Sequence, residues 1–274
     1  MKVLITGASS YVGARIYADI REKYDTVGTY NSNKVFDELL QLDVSDKAEV
    51  QRVVNEVKPD WIVHAAANCA SWCDKNPGKA LLINQMAVNN VVKAANSVGA
   101  GIIYISSTTA HHPFNPYSKA KHGGEIFIRR TKNGFLILRA GLVYGYSPNT
   151  TNPRSYNRLV ENLVEGKSAV ADTCWKFQPT WIGHISEVII QCIEKGIKNK
   201  NIPVITEVLK SRFDLANDIL SPFGIEVISD NGVDPTPVIL QSENKLIELG
   251  LPIYSYEEII KKIVEETRDN FISK

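Results

Sequence analysis

Hydrophobic positions in the first half of the chain follow two alternating rhythms. Short apolar runs at KVLIT (2–6), TVGTY (26–30), WIVHAA (61–66), GIIYIS (101–106) and FLILRA (135–140) are strand length and rich in β-branched and aromatic residues. Between them, AEVQRVVNEV (48–57) repeats its valines at 50, 53, 54 and 57. ALLINQMAVNNVVKAANSVG (80–99) keeps a helical period up to a terminal glycine. Apolar strands joined by helices predict an α/β architecture, a doubly wound parallel sheet of Rossmann type. Right-handed crossovers would bring the strands' carboxyl ends to one edge, where such sheets bind ligands.

Near residue 146 the rhythm breaks. SPNTTNPRSYN (147–157) is polar, holds two prolines and reads as a loop. A helix is predicted over 158–165, then a turn-rich stretch to Trp181, a helix over 185–197 and a strand at IPVITE (202–207). The tail SYEEIIKKIVEETRDNFI (255–272) has an amphipathic helical period. The chain thus divides into a Rossmann domain over 1–147, with 179–205 packing back onto it. The remainder, 148–178 and 206–274, forms a smaller mixed α/β lobe.

Composition narrows the partners. The 274 residues carry a formal net charge of +1, which leaves no electrostatic footprint for nucleic acid or anionic membrane. No apolar run is long enough to span a bilayer and no leader pattern opens the chain, so a cytoplasmic protein is expected. Cys69, Cys73, Cys174 and Cys192 lack ligand-like spacing; reduced thiols and no metal site are expected.

TGASSYVG (6–13) follows the first strand and opens the first helix, where a dinucleotide-binding turn belongs. Gly7 and Gly13 allow a pyrophosphate close approach, and the backbone of Ser9, Ser10, Tyr11 and Val12 can supply amides. Ser10 stands where a middle glycine is usual. The second strand ends in YNSNK (30–34) without the carboxylate that would hold the ribose 2′-hydroxyl of NAD. Asn31, Ser32, Asn33 and Lys34, helped by Arg15, can instead accept a 2′-phosphate. NADP(H) is therefore preferred over NAD(H), the alternative being that these are simply polar loop residues.

Tyr117 and Lys121 lie four residues apart on a predicted helix, so both emerge on one face. A nearby ammonium favours phenolate, which lets tyrosine exchange a proton with a substrate oxygen. A Tyr-x-x-x-Lys spacing arises roughly once by chance in such a chain, and Tyr30–Lys34 is a decoy of that kind. Only Tyr117 begins a helix after a strand whose carboxyl end carries serines, Ser106 and Ser107. A serine hydroxyl there can polarise a carbonyl.

Taken with LDVSD (42–46), KPDWIVHAAA (58–67), AVNNVVKAANSVGAGIIYISS (87–107), NPYSKAKHGGE (115–125), LRAGLVYG (138–145), QPTWIGHISEV (178–188) and SENKLIELG (242–250), the chain resembles the extended short-chain dehydrogenases/reductases. Within them it is similar to the dTDP-4-dehydrorhamnose reductase-like group of the NAD-dependent epimerase/dehydratase superfamily. The resemblance implies Tyr117 as proton donor, Lys121 as its electrostatic and ribose partner, and Ser107 as carbonyl polariser with Thr108 in reserve. It further implies Asp43 and Val44 at the adenine, Ala65, Ala66 and Ala67 beside the nicotinamide ribose, and Asn84 as a brace. The implied activity is NADPH-dependent reduction of a nucleotide-linked 4-keto-6-deoxyhexose. The alternatives are an epimerase or dehydratase retaining NAD, or a non-catalytic NADP(H)-binding partner subunit. A homodimer is compatible with either.

Three departures from the group bear on the substrate. Ser107 and Tyr117 are only ten residues apart, where the resembling reductases carry a much longer loop; nine linking residues still reach about 30 Å when extended. The loop brings His111 and His112, which can contact substrate or simply be exposed. No arginine occurs in DPTPVILQSENK (234–245), leaving Arg154 and Arg158 as candidates for a substrate diphosphate. Trp181, with Trp175 and Phe177, can stack on a sugar or base or pack in the core.

Overall fold

The strand-length apolar runs form the centre of a seven-stranded sheet in the computed structural model, which describes residues 1–234 and 236–273. Pro235, inside the arginine-free stretch, and Lys274 lie outside the described residues. In chain order the first half comprises β1 (Lys2–Thr6), α1 (Tyr11–Ile20), β2 (Asp25–Tyr30), β3 (Leu40–Gln41), α2 (Lys47–Val57), β4 (Trp61–His64), α3 (Ala70–Lys75) and α4 (Pro77–Leu81). A π-helical turn (Leu82–Met86) leads into α5 (Ala87–Val98), β5 (Gly101–Ser107), α6 (Pro116–Ile128) and β6 (Phe135–Ala140). Then come β7 (Leu142–Tyr144), α7 (Ser155–Glu165), β8 (Ala169–Asp172), β9 (Pro179–Trp181), α8 (Ile182–Glu194) and β10 (Lys200–Val204). The chain closes with α9 (Arg212–Leu220), β11 (Val227–Asp230), α10 (Asn244–Glu248) and α11 (Tyr256–Phe271).

The sheet runs β10-β6-β5-β4-β1-β2-β3, and every pairing is parallel. Alternate strand residues feed two cores, one on each face. Val3, Ile5 and Val63 pack with Ile16, Ile185 and Ile189 of α1 and α8. Leu4, Ile62 and Ile102 pack with Val50, Val53 and Val91 of α2 and α5. Burying each such side chain contributes about 1.5–3 kcal/mol. Strand order reverses between β1 and β4, which opens a crevice at their carboxyl ends.

A third core joins α7, α9 and α11 around Tyr156, Leu215, Ile219, Ile259 and Ile263. Two small parallel pairs, β7–β9 and β8–β11, wall this part of the molecule. Where sequence periodicity predicts one helix over 80–99, the helix is interrupted by the π turn. The extra residue turns Asn84 inward, where it holds both backbone groups of Asn68: Asn68 N–H donates to Oδ1 (2.8 Å) and Nδ2 donates to the Asn68 carbonyl (2.9 Å). The polar 147–157 segment gives way to helix at Ser155, because Tyr156 and Asn157 are buried and Asn157 Nδ2 binds the carbonyls of Asn149 (3.0 Å) and Asn152 (2.8 Å). Among the described residues no helix is long and apolar enough to cross a membrane.

Candidate active site

The turn after β1 is built around two glycines. Gly7 adopts φ +75°, and a Cβ there would lie 2.6 Å from the Ala66 Cα; a Cβ on Gly13 would lie 2.0 Å from the Gly7 carbonyl oxygen. Ala66, just after β4, therefore presses directly on the turn. Ser10 caps α1 by accepting from Gly13 N–H (3.0 Å). The next amides, of Tyr11 and Val12, have no protein acceptor among the described residues and belong to residues lining the cavity described below. Ser147 Oγ donates to the Tyr11 carbonyl (2.6 Å), and Asn149 Nδ2 to that of Ser9 (2.6 Å), stitching the later segment to the turn. Glycine clearance and free helix-start amides suit the pyrophosphate of a dinucleotide.

At the end of β2, Asn31, Ser32 and Lys34 are exposed, and the Lys34 ammonium lies 5.6 Å from the Tyr30 ring centroid. Arg15 does not join them. Its guanidinium pairs with Asp19 (2.8 Å) and Glu266 (2.8 Å) and donates to the Tyr146 carbonyl (3.0 Å). Asp43 Oδ1 accepts from the N–H (2.8 Å) and hydroxyl (2.7 Å) of Ser45, a local turn ahead of the Asp46 cap of α2. Val44 is buried beside it. Asn84 holds the loop after β4 rather than lining the cavity.

The tyrosine, lysine and serine converge. Tyr117 and Lys121 lie one turn apart on α6, Ser107 ends β5, and all three line one cavity of about 920 Å³ at the carboxyl edge of the sheet. The short linker fits because it is wound tightly: Thr108–Ala110 form a 3₁₀ turn, Pro116 starts α6, and Asn115 and Ser118 complete a capping box. Burial raises the Tyr117 pKa, while Arg154 and the Ser107 hydroxyl oppose that shift. Lys121 is sealed in the interior, donates to the Ile105 carbonyl (2.8 Å), and is pushed down to about 7, chiefly by burial. The Ser107 hydroxyl meets Thr109 Oγ1 at 2.9 Å.

Sequence spacing missed the clamp behind this trio. Glu125, four residues after Lys121, accepts from Arg139 Nη2 (2.6 Å) and Nε (2.9 Å) and from Ser106 Oγ (2.7 Å). This buried network locks α6 to β5 and β6. A Glu in step with Tyr117 and Lys121 on the helix was the available signal. The same arginine accounts for His111, which accepts from Arg139 Nη1 (3.2 Å) at Nδ1 and is not among the cavity-lining residues.

The lining also includes Thr108, Cys69, Arg154 and Arg158, and, from the part of the chain around the third core, Trp175, Phe177 and Arg212, which form the outer wall. Trp181 is not brought into the cavity. It packs in the third core, donates through Nε1 to Glu266 (3.2 Å) and lies under Lys262. Trp175 takes the wall position instead, with Phe177 at 4.8 Å and the Arg212 guanidinium at 4.7 Å; its indole N–H is buried without a partner. Arg212 approaches from α9 but is bound to Asp172 (2.5 Å) and Asp234 (3.5 Å).

The RmlD substrate binding domain model matches residues 1–244. Methionine adenosyltransferase 2 subunit beta of Xenopus laevis is 27% identical over 215 residues, covering 73% of this chain. The chain spans 64% of the length of that relative. The fold is shared with dTDP-4-dehydrorhamnose reductase from Bacillus anthracis in complex with NADP, at 24% identity and TM-score 0.83 over 97% of this chain and 99% of that one. It is shared equally with UDP-glucose 4-epimerase from Thermotoga maritima with UDP-glucose, at 19% identity and TM-score 0.85 over 98% and 99%. The chain belongs to the RmlD substrate-binding domain family.

Proposed function

We propose that this protein is a ketoreductase that uses a nicotinamide dinucleotide, NADP(H) by preference, to reduce the carbonyl of a nucleotide-linked 4-keto sugar. The observation that carries the reading is the convergence of Tyr117, Lys121 and Ser107 on one large cavity at the ligand edge of the sheet. When bound, the dinucleotide supplies the hydride to the carbonyl carbon. The amides of Tyr11 and Val12 would hold its pyrophosphate, Ala65–Ala67 its nicotinamide side, and Asn31, Ser32 and Lys34 its 2′-phosphate. Ser107 would polarise the sugar carbonyl with its hydroxyl, and Tyr117 would deliver a proton to the carbonyl oxygen. Lys121, once an anionic ligand restores its charge, would favour the phenolate left behind. Tyr117→Phe is expected to lower kcat by about 10²–10⁴-fold while NADPH affinity stays nearly unchanged, measured by turnover and fluorescence titration. Normal turnover by that variant would overturn the mechanism.

A second reading is a cofactor-binding partner subunit without turnover. It is favoured by the similarity to a protein named as a subunit and by the engagement of the Ser107 hydroxyl with Thr109. It predicts NADPH binding with no reduction of any keto sugar in a panel.

A further inference from the structure

The four arginines that are not solvent-exposed are Arg15, Arg139, Arg154 and Arg212. Three are ion-paired: Arg15 with Asp19 and Glu266, Arg139 with Glu125, and Arg212 with Asp172 and Asp234. Arg154 is the exception. Its Nε is sealed from solvent with no acceptor, and none of its side-chain nitrogens meets a carboxylate or carbonyl among the described residues. Only Nε is sealed; the residue is half-buried on the cavity lining, and its fork, with no counter-charge from the protein among the described residues, is available to an anion that a ligand brings.

The backbone places this charge deliberately. Arg154 follows Pro153 and caps α7 in an extended conformation (φ −83°, ψ 158°), its N–H donating to the Asn152 carbonyl (2.7 Å). The turn before it is fastened to Ser9 and Tyr11 through Asn149 and Ser147, so the arginine is held over the cavity by the rigid end of the sheet. Its field is felt by the Tyr117 phenol, the Lys121 ammonium and the Cys69 thiol. The cation therefore lies close to the reacting groups, on the same cavity lining as Tyr117 and Lys121, whereas Trp175 and Arg212 belong to the outer wall.

We infer that Arg154 binds an anionic group, a carboxylate, carried by the sugar close to the carbonyl that is reduced. The inference rests on the reading of the cavity as a keto-sugar site and sharpens it: the substrate is an acidic sugar nucleotide rather than a 6-deoxy one, and Arg154 is a specificity residue. A guanidinium suits this role because its fork matches a planar carboxylate.

The test is a calorimetric titration of the whole chain, saturated with NADP⁺, with UDP-glucuronate and with UDP-glucose. The wild type is expected to favour the uronate about tenfold or more. Arg154→Gln should erase that preference while leaving UDP-glucose and NADP⁺ affinities within about twofold, and Arg154→Lys should restore part of it. An unchanged NADP⁺ affinity also certifies that the variant is folded. Equal wild-type affinities for the two sugars would overturn the inference. So would a loss of NADP⁺ affinity in the glutamine variant together with a retained melting temperature, since the anion would then be the cofactor's own phosphate. If neither nucleotide sugar binds, the nucleotide-sugar reading fails, and millimolar D-glucuronate against D-glucose decides the arginine by itself; no carboxylate preference there refutes it.

Discussion

The two ends of the cavity are built on opposite principles. At the reacting end, polar groups are buried and locked to one another: Lys121 on a strand carbonyl, Glu125 on Arg139 and Ser106, and His64 on Thr6 (2.6 Å) with its ring stacked on Tyr104. At the outer wall, Trp175, Arg212 and Asp172 come from separate short elements and are partly exposed. Local helix and strand geometry sets the first; contacts between distant segments set the second. The first end is thereby held fixed, and the second is left freer to adjust.

The strongest way to break this contrast is through the clamp. Glu125→Ala strands a buried arginine and is expected to destabilise the protein by about 3–5 kcal/mol, read by urea unfolding. Arg212→Ala, at a half-exposed pair on the outer wall, should stay near about 1 kcal/mol or below. Equal losses would mean that the two ends are equally rigid.

Acid should next act through two buried histidines, of which His64 belongs to the reacting end and His184 packs against Tyr254. Burial pulls His64 down to about 3 and His184, whose Nε2 pairs with the Pro252 carbonyl (2.8 Å), down to about 4. Both are neutral in the folded state, so the unfolded chain binds more protons below its ordinary histidine pKa of about 6.5. Stability is full above that pH and is lost as pH falls towards 3, by a few kcal/mol in total. His64→Asn should flatten that acid limb; a limb of unchanged slope would count against the buried neutral imidazole.

Lys121 supplies a smaller effect. With its ammonium depressed to about 7, it is mostly neutral at pH 8 until anionic cofactor phosphates favour the charged form. NADPH binding at pH 8 should therefore take up about half a proton or more, measured by calorimetry in two buffers of different ionisation enthalpy. Lys121→Met should abolish the uptake. The smallest expected change is at the cofactor's far end, where exposed Lys34→Ala should weaken NADPH relative to NADH by about tenfold or less. An unaltered ratio would place the 2′-phosphate elsewhere.

The same contrast decides what could be read in the sequence. Tyr117 and Lys121 were legible because their spacing is itself their geometry on a helix, and the glycine turn because it follows β1 directly. The central strands were legible from continuous apolar runs. The strands β7, β8, β9 and β11 were not: each has three or four residues and pairs with a distant partner, so no local alternation betrays it. Trp181 and Trp175 look alike in sequence, and only the packing of Trp181 against α11 separates core from cavity wall. Arg15 looked available from α1, but its partner Glu266 lies 251 residues away. Arg154 carried no periodic signal; its meaning comes from what the fold withholds from it.

The central claim, net reduction at the Tyr117 end of the cavity, is tested most directly by isotope transfer. The protein is supplied with NADPH deuterated at both C4 positions and a nucleotide-linked 4-keto sugar, and the product is analysed by mass spectrometry. One deuterium is expected on the new carbinol carbon for each NADPH oxidised, with labelled product formed about 10²–10⁴-fold more slowly by Tyr117→Phe. A product without label, or sugar conversion with no net NADPH oxidation, would contradict it.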